Sequence, residues 1–377
     1  MTLGRRPGTF GTVTTPLARW TVEAGINALT PQRRAGGRMN SRLIPVGGLT
    51  EEQVRSVLVA AMAAPSLHNS QPWRFSCAPT TIELYADVAR AVPVADPDHR
   101  ELLVSCGAAL LNLRLAIRAL GVHPAVQLLP DPTNPDLLAV VRPQGHIVAT
   151  SVDRRLAEAI PHRRTNRKPF TALTVPVALL NGLRQAAKIE QAWLATLAAG
   201  QLPILRTLLG QAHNAQQHDP AFVAEWSHWT GRGPDSADGV PASSGGSLPE
   251  PQDEWMLRDY SAGQARPRVA GKDFEPDPLI AVIGTFHDLP LARLQAGQAM
   301  QRVLLAATAA GLSASFLSQV VEVPATRKQL RELIVGGLWP QTVLRLGYGS
   351  PMQPRDGTPR GWLVNNSAQL TEMTGVL

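Results

Sequence analysis

Gly107–Gly121, GAALLNLRLAIRALG, returns at Gly297–Gly311 as GQAMQRVLLAATAAG, at a constant offset of 190 positions. Ala109 and Ala299, Leu115 and Leu305, Ala116 and Ala306, and Ala119 and Ala309 are identical without a gap. Both copies carry apolar residues at helical spacing and end on a glycine, where a left-handed C-cap is expected. Small residues along them allow close helix–helix approach, so both read as central, interface-forming helices. A repeat of this length implies two copies of one structural unit in tandem.

The flanking sequence supports that reading. Thr50 followed by Glu51, Glu52 and Gln53 is a capping-box pattern. Val54, Val57, Leu58, Ala61 and Met62 then form a helical stripe that stops before Pro65. Strands are predicted at Arg74–Ser76 and Thr81–Ala86, antiparallel by proximity, and at Leu137–Val141. The first repeated helix extends over about Leu102–Leu120. In the second copy, a helix at about Val175–Ala187 and the segment Gln191–Leu197 echo Thr50–Ala63 and Arg74–Ser76, and a strand is expected at Thr342–Leu346. The expected class is α+β, two tandem half-repeats with antiparallel or mixed sheets flanked by helices. Half one covers 46–150 and half two 151–365. Residues 1–45 show no sustained periodicity and are expected to be disordered, with Met39 as an alternative start.

Composition narrows the function classes. The 377 residues are 44% hydrophobic with a formal net charge of +7 and a pI near 10.1. The 36 Lys+Arg are interspersed with 29 Asp+Glu and form no long basic run, which argues against a nucleic-acid partner. Cys77 and Cys106 lack C-x-x-C spacing, so a zinc site, a redox dithiol and a disulfide scaffold are unsupported. No uninterrupted apolar run reaches the roughly 18–20 residues of a membrane span, and no h-region follows Arg5-Arg6. The cytoplasm is the default location. His213 and His218 fall in a predicted loop and make a poor metal pair. There is no strand-linked G-x-G-x-x-G and no G-x-S-x-G elbow.

Two segments bear chemistry. RRTNR (Arg163–Arg167) follows a predicted helix, Val152–Ile160, and precedes Pro169-Phe170. Its three arginines and one hydroxyl can surround a single anion, each charge-assisted hydrogen bond contributing about 1.5–3 kcal/mol. The guanidinium fork suits phosphate; the plain alternative is a solvated basic turn. PSLHNSQPW (Pro65–Trp73) offers short polar side chains and backbone N–H groups in a narrow turn. Its alternative is an ordinary helix-to-strand connection with Trp73 in the core. Between His213 and Arg268 the pattern dissolves into Gly, Ser, Pro and Asp, broken by Phe222, Trp226, Trp229, Trp255 and Tyr260. A loop this long is disordered or functional, and its aromatics suit a semi-ordered lid, about 213–268, over a flat ligand.

PSLHNSQPWRF resembles the flavin-side motif of the nitroreductase superfamily, and RRTNR resembles its R-R-S-x-R phosphate-side motif. The second repeated helix, the strand at Thr342–Leu346 and Gly347-Tyr348-Gly349 resemble the superfamily's C-terminal half. Ordinary members carry R-R-S-x-R first, and the motifs meet across a homodimer interface. Here the order is reversed and each half carries one motif, as in the Acg-type branch, whose fused chain resembles a dimer. One copy of each motif completes one site, in a monomer that resembles a dimer.

The resemblance implies FMN as cofactor and NAD(P)H as transient electron donor, with a nitroaromatic or quinone as acceptor. No side-chain acid or base is implied, since the chemistry is flavin-borne. Arg163, Thr165 and Arg167, with Arg164 as a further member, would hold the phosphate and the pyrimidine edge. Ser66 and Asn69 would reach across from half one, with Gln71 supporting the turn; His68 either touches the ligand or packs. Leu312–Ser315, including Ser313 and Ala314, would lie near flavin N5. Arg360 resembles the C-terminal phosphate arginine, with Arg355 as competitor. Two other readings stand beside the reductase: a flavin-sequestering protein whose lid bars nicotinamide, and a fold that has lost flavin.

Overall fold

Thr50 Oγ1 accepts the Gln53 N–H, and Gln53 Oε1 accepts the Thr50 N–H. This capping box opens α1 (Glu51–Met62), whose buried face is Val54, Val57, Leu58, Ala61 and Met62. The computed structural model describes residues 43–265, 268, 273–334 and 336–349, and the backbone of 362–364. The N-terminal extension, Arg355 and Arg360 lie outside the described residues.

After α1 come β1 (Trp73–Ala78), β2 (Thr81–Ala86), α2 (Arg100–Ala119), β3 (Val122–Leu128) and β4 (Leu137–His146). A short helix, α3 (Ser151–Ala159), leads into α4 (Val177–Ile189) and β5 (Trp193–Thr196). Next are α5 (Leu202–Gln217), α6 (Pro220–Trp229) and β6 (Leu279–Thr285). Then follow α7 (Pro290–Ala309), β7 (Ser313–Phe316), α8 (Gln319–Glu322), α9 (Pro324–Leu333), β8 (Trp339–Gly347) and β9 (Trp362–Val364).

The duplication is visible in the strand order. One sheet runs β3-β4-β2-β1-β9 and the other β7-β8-β6-β5. Setting α1 on α4, β1 on β5, β2 on β6, α2 on α7, β3 on β7 and β4 on β8 superposes the two connectivities. Pairing is antiparallel throughout, except that β9 adds parallel to β1 with Arg74 opposite Trp362.

The repeated helices α2 and α7 cross at their equivalent glycines. A Cβ on Gly107 would stand 2.1 Å from the Leu294 carbonyl oxygen, and one on Gly297 2.0 Å from that of Val104. Backbone touches backbone there, which only glycine allows. Gln301 Nε2 donates to Asn112 Oδ1 at 2.7 Å nearby, and both side chains are buried. Gly121, which follows α2, and Gly311, which follows α7, adopt φ of +77° and +76°, the expected left-handed ends. By length and composition α2 could cross a membrane; most of it is buried in the protein core.

Several elements depart from the sequence expectation. β3, β6 and β7 were not anticipated; β6, LIAVIGT, lacks the alternation that marks a half-buried strand because all but one of its residues are buried. The segment expected as a loop from His213 begins as helix: α5 continues to Gln217 and α6 follows from Pro220. Of its aromatics, Phe222, Trp229, Trp255 and Tyr260 are buried and Trp226 is half-buried. Phe222 and Trp229 pack with Val92 and Ala95, and Trp255 and Met256 pack in the core around Leu205 and Ile280, so these parts of the insertion are packed rather than loose.

Candidate functional site

The turn between α1 and β1 is a strained connection. His68, Asn69 and Gln71 have φ of +48°, +57° and +54°, where non-glycine residues are rare and which tends to accompany functional sites. Local bonds hold it. Ser66 Oγ accepts the Gln71 N–H at 2.9 Å, Ser105 Oγ accepts the Leu67 N–H at 3.3 Å, and the Cys106 thiol donates to the Pro72 carbonyl. Trp73 is fully buried, so the core reading of that residue holds as well.

RRTNR leaves α3 and docks on the free edge of β7. Thr165 bridges Ala314, and the Asn166 N–H donates to the Ala314 carbonyl at 2.8 Å. Asn166 Nδ2 donates to Ser313 Oγ at 3.2 Å, and Asn166 Oδ1 accepts the Lys168 N–H at 3.0 Å. A Cβ on Gly349 would lie 2.5 Å from Asn166 Nδ2, so the Gly-Tyr-Gly segment makes room for this pin. Asn166 carries no chemistry in the motif reading, yet its buried side chain fixes the arginines around it.

The turn and the basic loop, from opposite halves, line one cavity of about 580 Å³. Ser66, His68, Asn69, Arg163, Arg164, Thr165 and Arg167 all face it. Gln71 does not; it is buried behind the turn and donates through Nε2 to the Ala237 carbonyl at 2.7 Å. Ser313 and Ala314 also lie off the cavity wall, acting on it through Asn166, while Phe316 of the same strand lines it. The sequence reading missed Glu101, Ser105, Lys168 and Gln341, whereas Tyr260 and the strap Pro234–Ser244 belong to the segment expected as a lid.

The electrostatics are one-sided. Arg164 Nε is buried without a hydrogen-bond partner, and its Nη1 donates to the Arg163 carbonyl at 2.8 Å. Arg167 donates to the Ser244 carbonyl at 2.8 Å and stacks 4.1 Å over the Tyr260 ring. Among the described residues neither arginine pairs with a carboxylate. Burial pulls both guanidinium pKa values down, with Tyr260 opposing at Arg167. Desolvated cations without counter-ions mark a place for an anion. His68 is buried edge-on to Trp226, and burial pushes its pKa down to about 4, so it is neutral at neutral pH.

The insertion closes one side. Asn69 Nδ2 donates to the Gly239 carbonyl at 3.0 Å, and Arg90 bridges the Ser70 carbonyl and Asp238 at 2.7 and 2.8 Å. Arg258 is clamped through its two Nη atoms to Glu322 and Gln216, a fully buried ion pair whose Arg258 Nε has no hydrogen-bond partner. Among the described residues no cluster of His, Cys, Asp and Glu could hold a metal.

No protein-family model matches the chain. Two solved structures are similar to it: a Bacteroides fragilis nitroreductase with bound FMN and an Anabaena variabilis protein titled a "putative nitroreductase". The first has a TM-score of 0.34 at 16% identity, covering 56% of this chain and 96% of that one. The second has a TM-score of 0.40 at 12% identity, covering 78% and 73%. Sequence relatives are closer. The Mycobacterium tuberculosis protein named "Putative NAD(P)H nitroreductase Rv3131" is 33% identical over 333 residues, covering 82% of this chain and 89% of its own. The one named "Putative NAD(P)H nitroreductase acg" is 31% identical over 318 residues, covering 83% and 94%. With identity of 31–33% sustained over most of both chains, the protein belongs to the Acg-type nitroreductase family.

Proposed function

We propose that the cavity holds one FMN and that the protein passes a hydride equivalent from NAD(P)H to a small acceptor of the nitroaromatic or quinone class. The observation that carries this is the convergence of the two motifs, from opposite halves, on a cavity where half-buried Arg164 and Arg167 have no carboxylate partner among the described residues. Arg163, Arg164, Thr165 and Arg167 would hold the phosphate and the pyrimidine edge, with Ser66 and Asn69 on the facing wall. FMN supplies the redox chemistry when bound. The chain supplies positive potential from the arginine side, which favours added negative charge in the cavity. His68, neutral and packed on Trp226, contributes shape rather than charge. Purified protein should bind FMN and turn yellow, and excess NADPH under anaerobic conditions should bleach it. A colourless protein that takes up no FMN would sink the proposal.

One observation favours a second reading, flavin sequestration. Asn69, Gln71 and Arg167 each spend a donor on a carbonyl of the strap, at Gly239, Ala237 and Ser244. A strap held this way would restrict nicotinamide. Under this reading bound FMN stays yellow under excess NADPH. Replacing residues 234–246 with a glycine-serine segment of equal length then restores bleaching.

A further inference from the structure

Among the described residues the cavity wall holds one carboxylate. Glu101, in the first turn of α2, lines the wall beside Ser105 and Gln341. Its Oε1 accepts from Arg100 Nη2 at 2.6 Å. Among the described residues its second oxygen has no partner. The neighbouring acids are committed. Asp96, on the preceding loop, accepts the Glu101 and Leu102 N–H groups with its two oxygens, at 3.0 and 2.8 Å. Glu322, on α8, is clamped by Arg258 and Gln216 and has no side-chain exposure.

We propose that Glu101 takes up a proton when the flavin in this cavity is reduced by two electrons and returns it on reoxidation. The proposal rests on the FMN reading above. Hydride from a nicotinamide brings two electrons and one proton, leaving one added negative charge in a buried space. A solvent proton then forms an O–H bond on the open oxygen of Glu101, and the net charge of the cavity is restored. The groups facing Glu101 fit this role. Arg100, its ion-pair partner, also donates to the Gln341 and Val321 carbonyls, at 2.6 and 3.2 Å, so its charge is not Glu101's alone. Asp96 and Glu322 add negative potential. Burial lifts the Glu101 carboxyl above the ordinary carboxylate range, with Arg100 opposing and Glu322 and Asp96 reinforcing. The added charge of the reduced state lifts it further. Between its oxidised and reduced pKa values one extra proton accompanies each electron pair.

The test is the midpoint potential of FMN in the holoprotein, titrated spectroscopically with dithionite from about pH 5 to about pH 9. Each proton taken up with two electrons adds about 30 mV per pH unit to the slope. The wild type should be steeper than Glu101→Gln by that amount across a window of at least about one pH unit. Glu322→Gln should keep the window. Curves of equal slope in wild type and Glu101→Gln would overturn the proposal, as would loss of the window in both variants, which would assign the proton to the acidic cluster at large. Should Glu101→Gln fail to fold, redox-difference infrared spectra of the wild type decide: a protonated-carboxyl band must appear on reduction, and its absence overturns the assignment. Failure of the FMN reading is separate and earlier, since the protein would then bind no flavin to titrate.

Discussion

Arg164 and His68 are both held in the cavity wall under conditions water would not choose. Arg164 is desolvated, without a carboxylate among the described residues, and with a buried Nε that bonds to nothing. Arg164→Met keeps the apolar stem and removes the charge. It should weaken FMN binding about tenfold to a hundredfold, the loss of one charge-assisted bond, without lowering the melting temperature of the ligand-free protein. A calorimetric titration and a thermal melt check the two halves of that statement. His68 must stay neutral in the fold: burial pushes its pKa from 6.5 down to about 4. The unfolded chain therefore binds a proton that the native state refuses, and stability drops as pH falls from the unfolded value through the folded one. At about 1.4 kcal/mol per unit the loss is about 3 kcal/mol. His68→Asn, which tolerates the left-handed backbone, should flatten urea-unfolding stability over that interval. An unchanged pH slope would show that His68 is not its source.

At the scale of elements, the α2–α7 crossing and the strap set the geometry. Gly107→Ala drives a methyl into the Leu294 carbonyl, with no flexible side chain there to yield. A loss of about 3 kcal/mol or more is expected from denaturant titration, at the upper end of overpacking costs. Arg90→Ala unties Asp238 of the strap from the Ser70 carbonyl of the turn and should speed proteolysis within Pro234–Ser244 while leaving the far-ultraviolet spectrum unchanged.

The crossing was legible in sequence because a helix repeats its period and its glycines together. The two motifs were legible through their resemblance to the superfamily's motifs, since their residue types alone left a solvated basic turn and an ordinary connection open. β6 was not, since a strand buried on both faces shows no alternation. α6 was not, since PAFVAEWSHW sits among glycine and proline and is held by Phe222 and Trp229 packing into a distant part of the fold. Glu101 was hidden for a related reason: an acid in a first helical turn looks like a helix-end charge until its surroundings are known.

At the scale of the molecule, the two halves share a frame but not a site. α1 reaches β1 through Ala63–Pro72, whereas α4 reaches β5 through Glu190–Ala192 alone. The short link has no room for a ligand-binding turn, and Glu190 is committed to Arg114 and Arg302 at 2.6 and 2.7 Å. Saturation with FMN should therefore stop at one equivalent per chain; two equivalents would show that the second half also binds. The glycine crossing has a further consequence. A site assembled between separate subunits weakens on dilution, because the partner is lost along with the ligand. Here the facing walls belong to one polypeptide, so each sees the other at a fixed effective concentration. Ligand affinity should stay constant as the protein is diluted from micromolar to nanomolar, and the protein should retain its ligand even when a cell makes very few copies of it.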